Sequence, residues 1–108
     1  MAKLEKRLSG SFDEILSRIE NGILDGSISA TLEDVSNFTG SCSRCCVRVF
    51  ERYSYLGKNR VSMSVTLYQE NGGDICLSAI TSGGSQAVFF KINTFGEEAF
   101  LDKLRELI

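Results

Sequence analysis

Two periods divide the chain. Phe12, Ile15, Leu16, Ile19 and Ile23 recur at intervals of three and four, the spacing of one face of a helix. Ser11-Phe12-Asp13-Glu14 opens this run in the Ser-x-x-Glu form of a capping box, and Gly26 can stop it. Thr94-Phe95-Gly96-Glu97 repeats the box ahead of Phe100, Leu101, Leu104, Leu107 and Ile108. The pattern therefore predicts one helix after Ser11 and a second from Thr94 to the chain end.

Between them the period falls to two. Val47 and Val49 alternate with Arg48 and Phe50; Val61, Met63, Val65 and Leu67 with Ser62, Ser64 and Thr66. Ile75, Leu77 and Ala79 alternate with Cys76 and Ser78, and Val88, Phe90 and Ile92 with Phe89 and Lys91. Each set predicts a strand. Gly57-Lys58-Asn59, Asn71-Gly72-Gly73 and Ser82-Gly83-Gly84-Ser85 supply hairpin residues between them. Weaker strands are expected over 28–38 and 2–8. The predicted class is α+β, ordered β-α, four or five antiparallel strands in a meander, then α, with both helices on one sheet face. That order resembles helix-grip and TATA-binding-protein-like folds, a likeness of architecture that implies no activity.

Composition places the chain among folded single domains: 43% hydrophobic and 24% charged over 108 residues is too apolar for disorder. A formal charge of −2 argues against a dedicated nucleic-acid partner. The start, Met-Ala-Lys-Leu-Glu-Lys-Arg-Leu, puts charge where a signal peptide needs an apolar run, and no stretch approaches the roughly 20 apolar residues of a membrane span. A cytoplasmic setting is expected, with no membrane. The four cysteines then read as free thiols, and histidine, the commonest base and metal ligand, is absent.

The chain also resembles an uncharacterised bacterial family of short, stand-alone cytosolic domains. The likeness lies in Glu51-Arg52-Tyr53, in Ala79-Ile80-Thr81-Ser82-Gly83-Gly84-Ser85, and in Phe89-Phe90 followed by Gly96-Glu97-Glu98-Ala99-Phe100-Leu101. None of these is a chemical signature, so the resemblance implies no ligand and no reaction.

Three candidate chemistries stand beside plainer readings. Cys42, Cys45 and Cys46 could bind zinc or cycle through a disulfide, with Arg44 favouring thiolate. A structural zinc needs four ligands, however, and in a strand Cys45 and Cys46 point to opposite faces. Packing thiols are the simpler reading. The Ser82–Ser85 loop could cradle an anion, but two glycines between two strands are explained by a tight turn. Arg44, Arg48 and Arg52 alternate with Cys46 and Phe50 along β-strand spacing, as in sheets that grip single-stranded RNA or another anion. The plainer version is a solvated face covered by arginine stems. Paired carboxylates such as Glu33 with Asp34 would point opposite ways along a strand. No catalytic residue, metal or cofactor is assigned, and an enzyme is the weaker reading.

The leading expectation is a non-catalytic, self-associating module. Val47, Val49, Val61, Met63, Val65, Leu67, Ile75, Leu77, Val88, Phe90 and Ile92 form one apolar set, expected beneath the helices. Phe50, Tyr68, Ile80 and Phe89, with Cys46 and Cys76 among arginines, serines and Thr66, form the other. Two helices cannot cover both faces, so the second set predicts a homodimer interface.

Overall fold

A computed structural model describes residues 1–54, 59–83 and 90–108, with side chains from Gly96 onward in the last stretch. The elements are β1 (Ala2–Leu8), α1 (Phe12–Asp25), β2 (Thr31–Thr39), β3 (Ser43–Ser54), β4 (Asn59–Glu70), β5 (Ile75–Gly83) and α2 (Phe90–Arg105). The strands form one antiparallel sheet in the order β1-β5-β4-β3-β2, so β2 to β5 are a meander and β1 returns beside β5. Both helices lie on one face, as the α+β reading requires.

Local chemistry sets the boundaries. Ser11 caps α1, its hydroxyl accepting from the Glu14 amide at 3.3 Å, and the Gly26 amide closes the last turn on the Gly22 carbonyl at 2.9 Å. Asn71 and Gly72 take positive φ (54° and 69°) between β4 and β5, the backbone that a tight hairpin demands. Ser54 and Asn59 are the last ladder pair of β3 and β4; the expected turn residues Gly57 and Lys58 lie outside the described residues.

The strand expected over 88–92 is not formed. Phe90 and Ile92 fall within α2, and Val88 and Phe89 lie outside the described residues. Nothing between Phe90 and Phe95 breaks a helix, so the periodic run through Phe100 extends backwards past Thr94. The box at Thr94 therefore lies inside α2 and does not mark its beginning. Of the expected turn Ser82-Gly83-Gly84-Ser85, Ser82 and Gly83 end β5, and Gly84 and Ser85 lie outside the described residues.

The core lies between sheet and helices. Ile15, Ile19 and Ile23 of α1 and Phe100, Leu101 and Leu104 of α2 pack with Phe50, Val61, Met63, Val65, Leu67, Ile75, Leu77 and Ala79. Gly96 brings α2 onto the end of β3. A Cβ there would sit 2.7 Å from Ser54 Oγ and 3.3 Å from Ser54 Cβ.

Candidate functional site

Strand β3 presents the opposite face from the one its valines suggest. Phe50 is fully buried and Cys46 and Arg48 nearly so, while Val47 and Val49 are only half-buried on the outer side. Phe50 is therefore a core residue and not part of an interface. Alternation alone leaves the phase open, because both sides of β3 are half apolar. The helices decide it through the three arginines.

Each arginine reaches a helix. Arg44 Nη2 lies 2.7 Å from Asp13 Oδ1, with its guanidinium 4.2 Å over the Phe12 ring. Arg48 Nε donates to Glu20 Oε1 at 3.3 Å, and its Nη1 to the carbonyls of Ser36 and Val47. Arg52 stacks 4.8 Å over Phe100. Hydrogen bonding to Arg44 holds the Asp13 carboxyl below its ordinary range, and burial lowers the Arg52 guanidinium. A guanidinium that is desolvated must be paired or stacked, and Arg48 and Arg52 are, while Arg44 stays 40% exposed beside Asp13. The basic stripe thus lies on the helix side of β3, each arginine against a helix residue.

The thiols are dispersed. Cys46 faces the core, where burial holds its thiol above the usual value against the pull of Arg48. Cys45 faces outward and Cys42 is exposed in the β2–β3 turn. Cys45 and Cys76 share the outer face, on either side of Tyr68. Two strand spacings, about 9.5 Å, separate them, beyond the roughly 7 Å limit for bridging Cα atoms. Among the described residues no three Cys, Asp or Glu side chains gather as a metal site.

The outer face is a lattice of cross-strand rows, in which paired residues share one side of the sheet. The first row reads Phe38–Cys45–Tyr68–Cys76–Arg7, from β2 to β1. The second is Ser36–Val47–Thr66–Ser78–Glu5, and the third Asp34–Val49–Ser64–Ile80–Lys3. Phe38 is 67% exposed, Tyr68 38% and Ile80 39%. Tyr68 donates to Glu70 Oε1 at 3.1 Å. Among the described residues nothing covers this face.

Two features here escaped sequence reasoning. Phe38 sits in a strand whose flanks are polar, and only its register opposite Cys45 shows which side it joins. At Glu33 the ladder shifts by one residue, so Glu33 and Asp34 together oppose Val49. Such a bulge sets two residues against one, which overturns the expectation that these carboxylates point apart. Glu51 nearby is paired with Arg60 at 2.9 Å, so Glu33 and Asp34 leave the β2 side of the outer face net acidic.

Elsewhere Glu97 of α2 sets a nearly buried carboxylate against the end of β5. It accepts from the Gly83 amide at 2.9 Å and pairs with the Met1 ammonium at 2.8 Å. No helix among the described residues is long and apolar enough to cross a membrane.

A family model described as a family of unknown function (DUF6054) matches residues 1–108. No curated protein and no solved structure matches the chain.

Proposed function

We propose that this chain, which belongs to the DUF6054 family, is a non-catalytic interaction module that self-associates through the outer face of its sheet. The observation that carries the reading is the run of Phe38, Cys45, Val47, Val49, Tyr68 and Ile80 on one uncovered side. An antiparallel sheet tolerates water on one face, but a solvated face does not need two aromatics and three branched aliphatics. Phe38, Cys45, Tyr68, Val47 and Val49 adjoin one another, with Ile80 across Ser64 from Val49, and an apolar patch of this kind marks an interface. The face is about 20 Å across five strands and about 23 Å along a seven-residue strand, with β3 and β4 reaching about 40 Å. That spans most of the roughly 800 Å² which a standard interface takes from each partner. Small polar residues down the middle (Ser62, Ser64, Thr66) let a second layer approach closely.

A cytosolic setting belongs to the same reading. What supports it is that all four cysteines are free thiols, two of them on the proposed interface.

The test is the mass in solution. Light scattering at micromolar concentration is expected to give two chains, and Ile80→Glu to give one without loss of the circular dichroism of the fold. A wild-type mass of one chain over that range would end the proposal.

A further inference from the structure

The lattice of the outer face also dictates how two copies meet, and this inference rests on the self-association just proposed. We infer that the homodimer is face to face, with its two-fold axis running along the central strand β4.

With their strands aligned, two faces can pack about a two-fold in their plane in two ways. An axis across the strands lays each strand on its own copy. With that axis through the middle row, Lys3 would meet Arg7 of the second copy, Glu5 its own counterpart, and Asp34 the Phe38 ring instead of a base. Like charges opposed along β1 cost free energy and disfavour that pairing. An axis along the strands instead exchanges the two sides of the sheet. Each row then reads against its own reverse, since β4 stays central while β3 faces β5 and β2 faces β1.

Read this way, the first and third rows are self-complementary. In the third row Lys3 meets Asp34 of the second copy, and Ile80 meets Val49. In the first, Arg7 meets the exposed Phe38 ring, an arrangement suited to cation–π attraction, and Tyr68 lies against its own copy. An isologous interface needs such a palindrome, because one patch must fit itself. Sheet twist holds the strands of two such layers within about 30° of each other, so the row pairing is kept near the axis.

The edges support the same conclusion. β1 carries Lys3, Glu5, Lys6 and Arg7, and β2 carries the bulge with its two acids. Charges and bulges on edge strands oppose edge-to-edge pairing, which leaves the face.

Within one chain Lys3 and Asp34 are at opposite sides of the sheet. Four strand spacings, about 19 Å, part them, more than twice the roughly 8 Å screening length at physiological salt. Coupling between them can therefore arise only between copies. Lys3→Glu alone and Asp34→Lys alone are each expected to weaken dimerisation about fivefold, two symmetry-related pairs being lost in each case. Mixing the two variants in equal amounts creates a heterodimer in which both pairs are again opposite in charge. Sedimentation velocity is expected to show the mixture associating as tightly as wild type. If wild type is a dimer but the mixture associates no better than either variant alone, the axis assignment is wrong and self-association stands. If wild type is a single chain, both fall together.

Discussion

A single guanidinium group shows how residue-level electrostatics shape this fold. Asp13 and Arg44 are 2.7 Å apart, and the pairing depresses the carboxyl pKa in the folded chain. A group with a lowered folded pKa adds stability above its unfolded value, about 3.9 for aspartate, and that stability is lost as pH falls through the folded value. Asp13→Asn should therefore be less stable than wild type near neutral pH. The urea midpoints of the two should converge below the carboxylate range. A difference that stays constant with pH would mean the pair does not act through charge. This partnership was not legible in the sequence. Arg44, Arg48 and Arg52 stand out at strand spacing, but whether they face solvent or helix depends on Asp13, Glu20 and Phe100, which are distant in sequence. Phe50 was misplaced for the same reason, since it rides on the arginine side of β3.

At the level of elements, legibility followed the strength of the local signal. α1 combines a cap, an apolar stripe and a terminal glycine, and it forms as those signals direct. β4 and β5 alternate cleanly, and their inner residues are buried as the alternation requires. The beginning of α2 was hidden because Phe90 and Ile92 mimic strand alternation and Thr94 mimics a cap. Where α2 crosses the sheet the contact is tight at Gly96. Gly96→Val would drive branched carbons into Ser54 and against Val61, whose Cγ2 lies 3.5 Å from the position of a Cβ. Overpacking of this sort costs about 1–3 kcal/mol, more than the few tenths gained in helix propensity. The urea midpoint should fall with the slope unchanged, which marks a loss of stability and not a looser native state. An equal or higher midpoint would show that α2 can move away from β3 at little cost.

For the whole molecule, the distribution of charge matters more than its sum. The formal charge is −2, and Arg44, Arg48 and Arg52 are all engaged by the helices. The outer face is left with an acidic side and a basic side. Single-stranded RNA should accordingly bind no better at physiological salt than to an acidic control protein, as read by fluorescence anisotropy. Micromolar binding with a steep salt dependence would contradict this assignment of the arginines. The sheet order carries a different consequence, for the time course of folding. β2 to β5 can zip together by successive hairpins, each closing a short loop. β1 has no neighbour until β5 exists, and its pairing joins Ala2 to Thr81. Long loops close at an entropic cost that must be met before their contacts contribute. Of the five strands, β1 comes first in the sequence and is expected to be the last to join the sheet. Until it does, β5 stands as a bare edge, and the charges on β1 guard a border that the folding chain leaves open longest.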